Sequence, residues 1–333
     1  MNKKLNLNYY NIISPDNLLL AWQEFIVGKK SKNDVLEFLL NLSDNILQLH
    51  DQLANLSYQH GGYQDFYISD PKLRHIHKAS VRDRLIHHAI YRQLYPFFSK
   101  TFIAHSHSCQ LGKGTHRALG DFRKMANKVS QNDTKTCWVL QCDIRKFFDS
   151  IDHQILLKIL KDYIEDERII RLLTNIITSF QANKGKGLPL GNLTSQLFIN
   201  IYMNVFDQYV KHQLKAGYYI RYADDFVVIS RDKEWLVSIL TKIDNFLSAK
   251  LKLQLHPQKV HLKTLASGVD FLGWVHFPKH RVLRNKTKRR MMRKVKNSAK
   301  PESLASYLGL LKHGDSYEIE QELLNNYWIN FLQ

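Results

Sequence analysis

Two adjacent carboxylates set between apolar strands constrain this chain more than any other feature. The stretch Tyr218-Tyr-Ile-Arg-Tyr-Ala-Asp-Asp-Phe-Val-Val-Ile-Ser230 places Asp224 and Asp225 in a tight turn flanked by aromatic and β-branched residues. That pattern predicts strand, turn, strand. Side-by-side acids are unfavourable there, because like charges repel and burial disfavours both ionised forms. A divalent cation removes the penalty, since hard metals take carboxylate oxygens. The alternative is an ordinary hairpin whose aspartates only make the turn. A third carboxylate on a neighbouring strand would separate the two.

Asp143 is that carboxylate. Trp138 to Cys142 read as a short apolar strand with Asp143 at its end. A helical pattern follows, with Ser150 as N-cap and Ile151, Ile155, Leu156, Ile159 and Leu160 at helical spacing. Asp143 and Asp224 can then hold two metal ions about 3.5–4 Å apart, the arrangement suited to in-line nucleotidyl transfer.

Composition points the same way. A formal charge of +18 and a pI near 9.6 favour polyanionic partners. A length of 333 residues suggests roughly two domains at about 150 residues each. The three cysteines, Cys109, Cys137 and Cys142, are odd in number and unpaired in spacing, which fits a reducing compartment. The start of the chain carries no apolar leader, and no stretch approaches the roughly 20 apolar residues of a membrane span.

Asp143 with Phe147-Phe148, Gly187-Leu-Pro-Leu-Gly-Asn-Leu-Thr-Ser-Gln196 and Tyr222-Ala-Asp-Asp225 stand in the order and spacing of reverse transcriptases. They resemble that family's palm motifs A, B and C, and the resemblance runs from about Asp70 to Trp274. Leu190-Gly-Asn-Leu-Thr-Ser-Gln196 is the departure within the family. Retroviral, retron and group II intron enzymes usually have Gln before the Gly and end in Ser-Pro. An aliphatic residue before Gly191 and a Ser-Gln ending resemble the reverse transcriptases of diversity-generating retroelements.

The resemblance implies an α+β, right-hand polymerase fold. It has fingers, a palm of antiparallel sheet plus helices, and a short helical thumb. The divisions expected are a helical N-terminal extension over 1–62, fingers and palm over 63–278, and a basic helical thumb over 279–333. It further implies RNA-directed DNA synthesis with two Mg²⁺ ions, Mn²⁺ being able to substitute. Asp143 and Asp224 would be the principal ligands, Asp225 would complete the cluster, and Ile144 would offer its backbone carbonyl. The process implied is mutagenic retrohoming: a template-repeat RNA is copied with errors at adenines and the cDNA replaces a gene segment. Its ligands are template RNA, nascent cDNA and dNTPs, and its partner is a small, basic, oligomeric accessory variability protein. The setting would be the cytoplasm of a bacterial cell or phage-infected host. Another prokaryotic reverse transcriptase, group II intron-like or antiphage, is the first alternative; a catalytically silent RNA-binding module with the polymerase fold is the second.

By the same resemblance, Arg82 and Arg84 stand near the incoming triphosphate, with Arg74 a further candidate; pairing of Arg84 with a structural acid such as Asp83 is the competing reading. Phe148 would sit beneath the sugar and exclude a 2′-hydroxyl, while Phe147 packs. Leu190 replaces a Gln that touches the nascent base pair, next to Gly191 and in the same motif as Gln196. Lys113, in Gly112-Lys-Gly114, would contact the template backbone. Lys259 would protonate or steady pyrophosphate, unless it is a solvated lysine. Phe271 to Trp274, including Gly273, would turn against the primer. Residues 279–300 carry eleven Lys or Arg and no acid, Arg289 and Arg290 among them, as a phosphate-binding face. Nothing after them would hold an RNase H, HNH or maturase module.

Local expectations complete the reading. Asp16-Asn17 would cap a first helix, and a second would run from Val35 to Leu49. A hairpin over 64–79 would turn at Asp70-Pro-Lys, and Ser80 would start a helix. His105, His107 and Cys109 would share a strand face but lack a fourth zinc ligand. Helices would span Thr194 to about Leu214 and Glu234 to Leu247, and Leu251 to Leu262 would form strands around Pro257.

Overall fold

A computed structural model describes residues 4–69, 73–297 and 300–331. The expected Asp70-Pro-Lys turn lies outside them. In chain order the elements begin with α1 (Tyr9–Ile13), α2 (Pro15–Phe25), α3 (Asn33–Leu40), α4 (Leu42–Ala54), β1 (Tyr63–Ile68), β2 (Arg74–Ala79), α5 (Val81–Phe98) and α6 (Thr115–Val129). Next come β3 (Trp138–Asp143), α7 (Phe147–Ser150), α8 (His153–Lys161), α9 (Glu167–Thr178) and α10 (Leu193–Gln208), which runs on as a π turn, Tyr209–Gln213. The remainder is β4 (Tyr219–Tyr222), β5 (Asp225–Ser230), α11 (Lys233–Leu251), β6 (His261–Thr264), β7 (Val269–Phe271), β8 (Trp274–His276), β9 (Arg281–Leu283), α12 (Asn285–Asn297), α13 (Pro301–Leu311) and α14 (Tyr317–Phe331). The fold is mixed α and β.

The chain divides into two compact units. One comprises Met1–Ala104, Ile144–Lys215 and Lys242–Leu255; the other comprises His105–Asp143, Ala216–Thr241 and His256–Gln333.

The first unit is mostly helical. Ser14, not Asp16-Asn17, caps α2, and Pro15 takes the first helical position, where a missing N–H costs nothing. The single helix expected from Val35 to Leu49 is broken at Asn41 into α3 and α4. Helix α5 starts at Ser80 as expected, its hydroxyl accepting from the Asp83 N–H, and buries Leu85, Ile86, Ala89, Ile90 and Leu94. Strands β1 and β2 pair antiparallel from Tyr63↔Ala79 to Ile68↔Arg74. The cap before α8 is Asp152, whose carboxylate accepts from the N–H groups of Gln154 and Ile155. Ser150, the expected cap, instead donates to the Arg145 and Lys146 carbonyls.

The second unit is built on an antiparallel sheet of order β4-β5-β3-β6. Side chains alternate between faces, so Val139, Gln141 and Asp143 share a face with Asp225, Val227 and Ile229 opposite them. That face carries Val139, Ile220, Val227 and Ile229 in one buried cluster with Leu119, Phe122 and Ala126 of α6. The same cluster takes in Trp274, Met291, Val295, Leu311 and Tyr327, which is why the C-terminal segment joins this unit. Strand β9 pairs with β8, so the segment expected to open a purely helical thumb begins as the third strand of a small sheet. Gly314 lies against the Trp274 ring, and a Cβ there would run into the indole.

Two other expectations fail here. Residues 105–109 form no strand; Ser106 bridges Arg221 of β4. Of the strands expected between Leu251 and Leu262, only β6 forms, beginning at His261, while Leu255 makes a single bridge to Ile144.

Candidate active site

The aspartates are assembled by strand register. Asp143 ends β3 and lies directly across from Asp225, the first residue of β5. Asp224 occupies the β4–β5 turn just before it. Ala223 takes a left-handed conformation at φ 55°, which tightens the turn. Like charges directly opposite on a sheet repel. The Asp225 carboxyl is accordingly pushed up to about 7, by burial first, with the Asp143 and Asp224 carboxylates adding and the Gln141 amide and Arg284 guanidinium opposing.

Lys259, expected beside pyrophosphate, is engaged by protein here. Its ammonium donates to Asp143 Oδ2 at 2.8 Å. Ile144 buries its side chain and bridges Leu255 through its backbone. Among the described residues, no three His, Cys, Asp or Glu side chains converge on one point as a metal-ligating group.

Sequence reasoning missed the residues that brace the turn. Arg221, fully buried in β4, donates to the Ala223 carbonyl at 3.0 Å and to Ser106 Oγ at 3.0 Å. The backbone of the 105–107 segment closes on the same residue: Arg221 N–H donates to the His105 carbonyl, and His107 N–H to the Arg221 carbonyl. Lys113 donates to the Ser106 carbonyl at 2.9 Å, which ties the Gly112-Lys-Gly114 loop to this brace. Gln141 Nε2 lies 3.4 Å from Asp225 Oδ1 and donates to the Asp270 carbonyl at 2.8 Å. A charged residue inside a strand that is otherwise apolar was the only available signal for Arg221, and nothing marked Gln141.

The remaining second-unit candidates divide by burial. Leu272 and Gly273 form the tight turn between β7 and β8, both at positive φ. Trp274 is core, 1% exposed, with the Arg281 guanidinium over its ring. Helix α12 buries Met291 and Val295 and exposes Arg289 and Arg293, while Arg290 is half-buried.

The other candidates belong to the first unit. Phe147 is buried and Phe148 half-exposed. The Phe148 carbonyl accepts from the Leu188 N–H at 2.9 Å, which fixes the start of the 187–192 loop that leads into α10. His77 of β2 holds that loop twice: its N–H donates to the Leu190 carbonyl, and its carbonyl accepts from Asn192 Nδ2, both at 3.1 Å. Gly191 is exposed at φ 109°, where L residues are strained, and Gln196 is half-buried.

Arg82 and Arg84 are both engaged by protein. Arg82 donates to Asp83 and to the Gln59 carbonyl and lies over the Tyr58 ring. Arg84 pairs with Asp34 of α3 and lies over Phe25, so its acid is Asp34 rather than Asp83. Burial raises Asp34, yet Lys78 and Arg84 together hold it below the usual carboxylate range. Arg74 is exposed at the start of β2.

The family described as Reverse transcriptase (RNA-dependent DNA polymerase) matches residues 69–276, and the chain belongs to it. It is accordingly an RNA-directed DNA polymerase. Among curated proteins, it is similar to Protein YkfC of Escherichia coli, 26% identical over 287 residues covering 74% of this chain and 73% of that one. It is also similar to the group II intron-encoded protein LtrA of Lactococcus lactis, 22% identical over 80% of this chain and 56% of LtrA. A putative COX1/OXI3 intron 1 protein of Saccharomyces cerevisiae is 26% identical over 63% of this chain and 26% of its own length. The chain therefore spans about half of LtrA and a quarter of the yeast protein. Among the described residues, no helix is long and apolar enough to cross a membrane.

Proposed function

We propose that this polymerase copies a template-repeat RNA into adenine-mutagenised cDNA for mutagenic retrohoming in a diversity-generating retroelement. The observation that carries this reading is the stretch Leu190-Gly-Asn-Leu-Thr-Ser-Gln196, which enters the first turn of α10. An aliphatic side chain there cannot hydrogen-bond a base or its partner, so base-pair checking loses an amide. The reading also requires a small, basic, oligomeric accessory protein and a bacterial cytoplasm, with template RNA, cDNA and dNTPs as ligands.

Mg²⁺ suits the donors present. Asp143 of β3 and Asp225 of β5 face each other on adjacent strands and Asp224 stands in the β4–β5 turn, and the Asp225 carboxyl is raised by burial first and by the two neighbouring carboxylates second. Asp143, Asp224 and Asp225 would hold the metal, and hard oxygens with net negative charge are what it prefers. When bound, such ions lower the pKa of the attacking hydroxyl and neutralise the leaving pyrophosphate. Lys259, placed on Asp143, is available to the same charge. In this reading Phe148 excludes the 2′-hydroxyl, Lys113 and the exposed face of α12 hold nucleic-acid phosphates, and Gly273 turns beside the primer.

Primer extension on an RNA template with dNTPs and Mg²⁺ tests the activity, and sequencing the products tests the specificity. Leu190→Gln should lower misincorporation opposite template adenine. An unchanged error rate at adenine would overturn the retrohoming assignment. The similarity to LtrA favours a second reading, a group II intron-like reverse transcriptase. That enzyme would extend the primer without an adenine bias.

A further inference from the structure

We infer that Arg284 is a positioning residue that ties the basic helix α12 to the carboxylate of Asp225 through Asp270 and Gln141. This rests on the polymerase reading above. Arg284 stands at a junction. Its N–H donates to the Gly273 carbonyl at 3.1 Å, which closes the β7–β8 turn. Its own carbonyl accepts from Thr287 N–H at 2.8 Å and Lys288 N–H at 3.0 Å, which starts α12. The guanidinium then reaches back to the hairpin: Nε donates to Asp270 Oδ1 at 2.7 Å and Nη2 donates to the same oxygen.

Asp270 passes the connection to the sheet. Its carbonyl accepts from Gln141 Nε2 at 2.8 Å, and that amide nitrogen also approaches Asp225 Oδ1 at 3.4 Å. Gln141 stands two residues before Asp143 on β3, so strand alternation puts it on the face that carries both acids. The neighbours on that face, Val139, Val227 and Ile229, are apolar and buried. Packing alone would put another aliphatic side chain there. An amide is instead the donor that gives Asp225 a fixed partner beside two like charges.

All four side chains belong to the same compact unit, so the connection is made within one body. Helix α12 exposes Lys286, Arg289, Arg293 and Lys296, the residues that a phosphate backbone would grip. An oligonucleotide held on that face loads the junction at Arg284; the Arg284–Asp270 pair there is partly exposed, so the load passes through hydrogen-bond geometry to Gln141 and Asp225. The carboxylate that holds metal is thereby set by the helix that holds the primer–template.

The test compares Gln141→Met, Arg284→Ala and their double variant with the parent. Three quantities are measured: Mn²⁺ affinity of the protein alone by electron paramagnetic resonance, the Mg²⁺ half-saturation of RNA-templated extension, and kcat and KM for dNTP. Each single variant should weaken Mn²⁺ binding and raise the Mg²⁺ half-saturation by about tenfold, the scale of lost outer-sphere support. The KM for dNTP and the melting temperature should stay near the parent's. The double variant should be no worse than the worse single, because both break one chain. Multiplying penalties, or parental Mn²⁺ affinity in Gln141→Met, would overturn the relay. Asp270→Asn, which keeps the shape and weakens the guanidinium contact, carries the same test should Arg284→Ala fail to fold. A parent protein with no RNA-templated extension would sink the polymerase reading instead, and the Mn²⁺ measurements would still judge the relay.

Discussion

Two hairpins of similar sequence character have opposite physical lives in this molecule. The β4–β5 hairpin has β3 on its flank and α6 against one face, and Tyr219, Ile220, Phe226, Val227 and Val228 are buried. The β1–β2 hairpin has the longer ladder and as many aromatic rings, yet it stands as a two-stranded sheet with Phe66 and Tyr67 exposed. Its order comes from rings on rings: Tyr67 stacks on His75 at 4.4 Å, His75 meets His77 at 4.2 Å, and His77 meets Phe180 at 4.5 Å. Asp65 is tied there too, to His75 at 2.6 Å, but its neighbours leave it in solvent. Flanking strands, rather than ladder length or aromatic content, decide which hairpin can bury an acid: Asp225 is raised by burial, whereas the His75 hydrogen bond lowers the exposed Asp65.

The sharpest break in the comparison is chemical. Asp143→Asn should reduce RNA-templated extension by at least about a thousandfold, roughly 4 kcal/mol of transition-state stabilisation. Its melting temperature should hold or rise, because it removes cross-strand repulsion from Asp225. A fall in both would mean that the pair is structural. Next in size, Phe226→Ala should cost about 3–5 kcal/mol, while Phe66→Ala should stay within about 0.5 kcal/mol, as surface changes do. Equal costs in denaturant titrations would erase the distinction between the hairpins. Arg221→Met should destabilise by on the order of 3 kcal/mol by freeing the Ala223 carbonyl and Ser106 hydroxyl, and it should slow extension as the turn relaxes. The smallest effect is on pH dependence. Burial lowers His87 to about 3 and both His107 and His276 to about 4, so the folded protein keeps them neutral. The unfolded chain takes up their protons near 6.5, so stability present above that pH should decline as pH falls toward about 4. Thermal melts between pH 7.5 and 5 measure the slope, and His87→Gln should flatten it.

Much of this was legible in the sequence, for a definable reason. Acids between β-branched runs, short apolar runs within 138–143 and 225–230, and an apolar stripe from Thr194 onward each state a local preference that tertiary structure kept. Caps were legible only in kind. Ser150 and Asp152 are both good cap residues two positions apart, and the choice was made by where the chain turns after α7. The break at Asn41 was hidden because Leu36, Leu39, Leu40 and Leu47 keep helical spacing across it while remaining exposed. Strand β9 was hidden by its surroundings, since Arg281-Val-Leu283 sits inside a basic run that reads as phosphate-binding surface. Gln141, Asp270, Arg284 and Arg221 act through contacts between distant segments, and no periodicity announces those.

The close approach of Gly314 to the Trp274 ring has a consequence for anyone reshaping this enzyme. Position 314 admits no side chain without moving an indole shared by the sheet hairpin and the last two helices. A codon-randomised library over 312–316 should therefore return glycine at 314 in every clone that folds, while its exposed neighbour Lys312 drifts freely.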